Sequence, residues 1–286
     1  MNSKKYMYTW EDMDESNEIL DSKTLSESII NDAELSQIEE LIIGCWGESW
    51  ENGAQPIIDM MVENKEKFSH IKSIFIGDME YDECEVSWIE QGDYSKLWDA
   101  LGNLEEIKIK GSTNLELGEI HHDKLKKLTI ECGGIPKNVL NSIANAKLPA
   151  LEHLEIYIGI DNYGFDGDID DIKAVLNGDF PNLQYLGIVD SDIEDDIVEA
   201  VLKSKYVGKV STLDFSKGSL TDKGGEMLLE AIPKNPNVKC LNLEYHYMSE
   251  QMCRILHGLS IDVNTDDAQT ADEYDGEVWY YPLLTE

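Results

Sequence analysis

The sequence predicts an α/β solenoid in which short parallel strands form one continuous sheet and a helix follows each strand on the outer side. Two observations carry this. A pattern with apolar residues at its first, fourth and sixth positions occurs nine times: Ile38-x-x-Leu41-x-Ile43, Ile71-x-x-Ile74-x-Ile76, Leu104-x-x-Ile107-x-Ile109, Leu125-x-x-Leu128-x-Ile130, Leu151-x-x-Leu154-x-Ile156, Leu183-x-x-Leu186-x-Ile188, Val210-x-x-Leu213-x-Phe215, Val238-x-x-Leu241-x-Leu243 and Leu256-x-x-Leu259-x-Ile261. The starts lie 33, 33, 21, 26, 32, 27, 28 and 18 residues apart, about 27 on average, which suits a unit of one strand and one helix. Between the copies run amphipathic stretches with helical spacing: Pro56–Phe68, Pro136–Ala146, Asp168–Leu176, Glu194–Leu202, Asp222–Ile232 and Ser249–His257.

Taken in order, residues 1–34 lack the pattern. Nine acids and three lysines surround Tyr6, Tyr8 and Trp10, and Leu20, Leu25, Ile29 and Ile30 follow at near-helical spacing. The first unit of a solenoid has no neighbour to cover it, so a short strand and helix are expected here as an N-terminal cap. Residues 35–264 are the solenoid. Alternation along each strand turns the fourth and sixth pattern residues inward and exposes those between them, on the concave face. Ser219-Leu220-Thr221-Asp222 and Met248-Ser249-Glu250 place a hydroxyl where it can cap a helix, with an acid at the positive end of the dipole. Residues 265–286 run acidic to Glu277 and then turn apolar through Val278-Trp279-Tyr280-Tyr281-Pro282-Leu283-Leu284. Either Trp279, Tyr280 and Leu283 cap the last unit, or an acidic linker tethers a short docking peptide.

The run from Phe215 to Ile232, with Leu220 two places past the turn and Thr221-Asp222-Lys223-Gly224 opening a helix, resembles the ribonuclease-inhibitor type of leucine-rich repeat. Trp46-Gly47-Glu48 and Asp161-Asn162-Tyr163-Gly164 add a similarity to bacterial cytosolic leucine-rich repeat proteins with no assigned activity. The resemblance implies a horseshoe that binds other macromolecules. One departure stands out. Where such repeats place Asn or Cys after the strand, this chain has Trp46, Met79, Ser112, Gly133, Gly159, Ser191, Gly218 and His246, so a different group is expected to hold each turn.

Charge narrows the partner. The chain carries 58 acidic and 23 basic side chains, a formal net charge of −35, which opposes nucleic-acid phosphate and anionic membrane surfaces and attracts basic proteins. No stretch reaches the ~18 uninterrupted apolar residues that a membrane helix needs. The first twelve residues turn acidic before an apolar run develops, unlike a secretory signal. Five cysteines with no C-x-x-C pair read as reduced thiols, which points to a cytoplasmic protein.

The concave strand positions hold seven acids and three lysines among 27, close to the chain's average density. The loops Asp78–Glu85, Asp161–Asp171 and Asp190–Asp196 hold five acids each and no base, and parallel strands bring them to one rim. Aromatic residues share it. Trp46, Trp50, Tyr81, Tyr163, Phe165, Tyr245 and Tyr247 lie near strand ends, with Tyr157 and Tyr185 on nearby concave positions. Rings anchored among Asp161, Asp166, Asp190 and Asp192 form the candidate binding surface for a basic protein.

Asp166, Asp168 and Asp170 share the spacing of a calcium loop's first ligands, but Asp171 and Asn177 stand where its Gly and bidentate Glu belong, so helix capping is the better reading and no metal is assigned. His121-His122-Asp123 reads as a surface turn. No hydrolase, zincin, P-loop or dinucleotide motif occurs, and neither catalytic residues nor a cofactor are assigned. The expected function is non-catalytic capture of a basic protein in an inhibitor, immunity-like or scaffold role. The alternatives are an acidic decoy that mimics nucleic acid and an enzyme of unknown class.

Overall fold

The computed structural model describes residues 2–9, 11–13 and 20–284, so that Trp10 lies outside the described residues. Ten parallel strands form one sheet in strict chain order: β1 (Ser3–Tyr6), β2 (Glu40–Ile43), β3 (Ser73–Ile76), β4 (Glu106–Lys110), β5 (Lys127–Glu131), β6 (His153–Gly159), β7 (Tyr185–Ser191), β8 (Thr212–Asp214), β9 (Cys240–Asn242) and β10 (Asp262–Asn264). Leu41, Ile74, Ile107, Leu128, Leu154, Leu186, Leu213 and Leu241 stand opposite one another in a single row. All eight are fully buried or nearly so. Each such residue stabilises the fold by about 1.5–3 kcal/mol, so the row is the main reason that the register is fixed.

The row continues through Val263, the partner of Leu241. This corrects the ninth match: Leu256 is the last residue of a helix, and the strand begins only at Asp262. Apolar residues on a helix end and the turn after it reproduced the strand spacing by coincidence.

At the other edge, β1 turns Lys4 and Tyr6 toward the helix layer where β2 has Leu41 and Ile43. Their polar ends meet Asp32, at 2.5 Å from Lys4 Nζ and 2.6 Å from Tyr6 Oη. The bonds from Lys4 and Tyr6 and from the Glu34 N–H hold the Asp32 carboxyl down at about 2. Helix α1 (Ser22–Ile30) leads into this contact, with Asp21 and Thr24 closing a capping box.

The outer layer consists of α2 (Gln55–Glu63), α3 (Lys65–Phe68), α4 (Leu97–Ala100), α5 (Lys137–Ala144), α6 (Ile169–Asn177), α7 (Glu194–Lys203), α8 (Asp222–Ala231) and α9 (Glu250–Leu256). Thr221 and Ser249 cap α8 and α9 through the N–H groups of Lys223 and Met252. Between β4 and β5 no helix forms among the described residues. Bridges Glu90↔Thr113, Asp93↔Glu116 and His121↔Lys147 replace it. His122 is buried, contrary to a surface turn: its Nδ1 accepts the Leu125 N–H at 2.9 Å and its Nε2 reaches the Leu101 carbonyl at 3.1 Å.

The turns after the strands are each held by a different group. Ser112 Oγ donates to the Gly134 carbonyl, Cys132 Sγ to that of Tyr157, and Ser191 Oγ accepts from the Ile193 N–H. His246 is buried, with Nδ1 accepting from the Met248 N–H and Nε2 at 3.1 Å from the Thr265 carbonyl.

Candidate docking surfaces

Because every strand is parallel, the loops that follow β2, β3, β6, β7 and β9 leave from one edge, and the sequence-predicted rings divide there by burial. Trp46 is fully buried and donates its indole N–H to the Asn52 carbonyl at 2.6 Å. Phe165 and Tyr157 are also buried. Trp46 and Phe165 belong to the main core and Tyr157 is buried beside it, so the three cannot serve as docking rings. Trp50, Tyr163, Tyr185, Tyr245 and Tyr247 are half-buried, while Tyr81 is 65% exposed.

The exposed rings gather where two clefts adjoin. Trp50 and Trp88 line both; Tyr81, Asp82, Glu83 and Glu85 complete one, and Glu90, Thr113 and Tyr163 the other. Trp88 ends the short 3₁₀ turn Val86–Trp88, and with Val86 and Ile89 buried on either side its indole is left outward at 59% exposure. Tyr163 is carried by a second 3₁₀ turn, Asp161–Tyr163, which Gly164 closes at φ +114°. That turn sits close to the preceding unit because neither Gly134 nor Gly159 (φ +68°) has a side chain. A Cβ at Gly159 would lie 1.7 Å from the Gly133 carbonyl oxygen.

The acids divide as well. Asp161 and Asp192 are exposed. Asp166 Oδ1 accepts from the Lys137 N–H at 2.6 Å, at the start of α5, and Asp168 caps α6 through the N–H groups of Asp170 and Asp171. Asp195 and Asp222 reach across to the starts of α8 and α9 in the same way. Part of the acidic rim is therefore a ladder of caps between neighbouring repeats. Asp190 and Glu194 are fully buried, which removes Asp190 from the solvent-facing surface. Asp190 Oδ2 and both Glu194 oxygens lack a partner of normal geometry. Burial pushes both carboxyls well above the usual range, with Glu131 adding to the effect at Asp190, and Asp190 and Asp214 adding to it at Glu194.

On the concave strands most charges are paired. Lys108 and Lys110 meet Glu131 at 2.6 and 3.3 Å, and Lys127 meets Glu106 at 2.9 Å. His153 stacks on Tyr185 with centroids 3.8 Å apart, and its Nε2 lies 3.2 Å from Glu155. Burial raises the Glu155 carboxyl, but the His153 contact and nearby Lys217 and Lys108 outweigh it and hold the group low. Tyr185 Oη donates to Asp214 at 2.5 Å, and Asn242 and Asn264 extend the chain of bonds across β9 and β10.

At the far end, Tyr245 and Tyr247 are covered by the chain itself. The hairpin β11 (Asp272–Tyr274) and β12 (Glu277–Trp279) sends residues 280–284 back over the turns after β9 and β8 and the end of β7. Tyr280 meets Tyr247 edge-on with centroids 5.0 Å apart. The candidate cap residues Trp279, Tyr280 and Leu283 are 46, 40 and 51% exposed.

A Bacteroides fragilis protein, known from a crystal structure obtained as a structural-genomics target, shares this architecture. It is 38% identical, and the match covers 93% of this chain and 75% of that one at a TM-score of 0.87. The chain is a leucine-rich repeat protein of the same family. An internalin from Listeria monocytogenes matches at 15% identity and a TM-score of 0.36, over 83% of this chain and 56% of the internalin. No protein-family model matches the sequence, and no curated protein does.

In this leucine-rich repeat protein no three His, Cys, Asp or Glu side chains among the described residues gather to hold a metal ion, and no described helix is long and apolar enough to cross a membrane. All five cysteines are free thiols; burial pushes Cys84 and Cys132 up to about 12. Sequence reasoning missed Trp88, whose signal was the 33-residue interval between the second and third units, long enough to hold an extra loop. It also missed Pro282, which is buried at the centre of the returning segment.

Proposed function

We propose that the protein is a non-catalytic docking module for a protein with a basic surface, received on the clefts between Trp50, Tyr81, Trp88 and Tyr163. The observation that carries this is the pair of exposed rings, Tyr81 and Trp88, at the mouth of clefts also lined by Asp82, Glu83, Glu85 and Glu90. Rings of this kind supply most of the binding energy of a small interface, and an arginine or lysine can lie on an indole face while an acid meets its charge. The pairing of concave-strand charges favours the rim over the sheet as the partner's first contact. An inhibitor, immunity-like or scaffold role fits such a module.

The test is an affinity pull-down from the lysate of cells that make the protein, at low salt and at about 1 M, where the Debye length is ~3 Å. A Tyr81→Ala/Trp88→Ala variant is run alongside. Both residues are exposed, so the fold should survive the change. One protein retained by the native chain at high salt and lost from the variant supports the reading. A broad set of nucleic-acid-binding proteins that washes off with salt and ignores the variant would sink it and favour an acidic decoy.

A further inference from the structure

Residues 280–284 cross the strand-exit turns against the direction of the repeats. Tyr247 Oη accepts the Tyr281 N–H at 3.0 Å and donates to the Tyr281 carbonyl at 2.8 Å, and Tyr245 Oη donates to the same carbonyl at 3.2 Å. Pro282 is buried. Leu283 then donates its N–H to the Lys217 carbonyl at 2.8 Å, and Leu284 donates to Asp190 Oδ1 at 2.7 Å. The solenoid thus holds this segment mainly through its main chain, which bends at Leu283, and main-chain contacts are how many proteins take up a peptide.

Two features set this contact apart from a simple end cover. Its occupant sits on the end of β7 and the turns after β8 and β9 rather than beside β10, and its Tyr280, Tyr281 and Leu283 side chains are exposed. Val278, Trp279, Tyr280, Tyr281 and Leu283 are half of the ten large exposed apolar residues among those described. The receiving turns are also unusual. Asp190, Lys217 and Tyr245 hold φ at +58°, +68° and +60°, at the position where the unit of β4 uses Gly111. A side chain in that conformation is disfavoured, and here each of the three residues touches the segment. Asp190 is fully buried, and its donors come from this segment: the Leu284 N–H, with that of Leu283 close by.

We propose that Asp190, Lys217, Tyr245 and Tyr247 form a binding track for a peptide with an aromatic residue, a proline and two apolar residues in succession, and that residues 280–284 occupy it in cis until a partner segment of that chemistry displaces them. The track shares no residue with the clefts around Trp88, so either proposal can fail alone.

The test uses the full chain, a Leu283→Pro/Leu284→Pro variant that lacks both N–H donors, and a fluorescein-labelled peptide of residues 278–284. We expect saturable binding to the variant at least tenfold tighter than to the native chain, lost again when Tyr245→Phe and Tyr247→Phe are added. Equal binding to both chains, or binding to neither while circular dichroism shows the variant folded, overturns the proposal. If the variant does not fold, hydrogen exchange on the native chain decides. Excess peptide should speed exchange at the Leu283 and Leu284 amides, and unchanged exchange overturns it.

Discussion

After β3, Tyr81 and Trp88 stand 65% and 59% exposed beside solvated Glu80 and Asp82, whereas after β9, Tyr245 and Tyr247 lie under the chain's own residues 280–284. The residue types are the same and so is the edge of the sheet. What differs is the turn. The N-terminal half has left-handed glycines near its strand ends, Gly47, Gly77, Gly111 and Gly159, which let each loop fold close against its neighbour. The C-terminal half places Asp190, Lys217 and Tyr245 at the position of Gly111, and all three bind residues 280–284 there. One fold thereby presents an open aromatic surface and an occupied polar track.

The comparison breaks most sharply at Gly159. Alanine there would adopt a left-handed φ at about 1–2 kcal/mol and also overlap the Gly133 carbonyl, which lies 1.7 Å from the new Cβ. We expect Gly159→Ala to destabilise the chain by about 3 kcal/mol or more in urea denaturation and to displace Tyr163 from the cleft that it shares with Trp88. A loss below about 1 kcal/mol would mean that glycine is not what sets the open half.

A second difference lies in the fate of the acids. Those near Trp88 are solvated or half-buried, while Glu194 is buried without a partner and held well above the usual carboxyl range by desolvation and by Asp190. A folded-state pKa above the unfolded value, about 4.3 for Glu, means that the native state keeps a proton the unfolded state releases. Stability is therefore undiminished below about pH 4 and falls as pH rises toward the folded pKa. Glu194→Gln keeps the shape and removes that fall. We expect the variant to be more stable than the native chain at pH 7, by about 1 kcal/mol or more, with the two converging below about pH 4. Parallel thermal-melt profiles from pH 3.5 to 8 would show that the carboxyl is not stored in this way.

The extent to which this was legible follows from locality. Eight strands could be read because each inward pair repeats at fixed spacing and a one-residue slip would expose it. The ninth failed because Leu256, Leu259 and Ile261 belong to a helix end and its turn, which meet the same spacing. Helix starts at Thr221 and Ser249 were legible because a cap bonds within three residues. Burial of Trp46, Phe165 and Asp190 was not, since these residues fall outside the repeated inward pair that carries the period. The Leu284–Asp190 bond spans 94 residues, and nothing local in either segment announces it.

The smallest expected effect tests how firmly the covered half is covered. Tyr247 Oη brackets both main-chain groups of Tyr281, yet the ring itself is held edge-on between Tyr245 and Tyr280. Tyr247→Phe keeps the ring and removes the hydroxyl. The segment contributes little to the solenoid's core, so global stability should change by less than about 0.5 kcal/mol. Local opening should respond more strongly: of the two hydrogen bonds lost, the carbonyl's is partly kept by Tyr245, and about 1 kcal/mol for the N–H bond alone corresponds to at least about fivefold in the opening equilibrium. Amide exchange at Tyr281 should quicken by about that factor while exchange at Leu213 and Leu241 stays unchanged. Exchange that quickens equally at all three would mean that the segment and the sheet unfold as one unit, and that the covered half is a closed core rather than an occupied track.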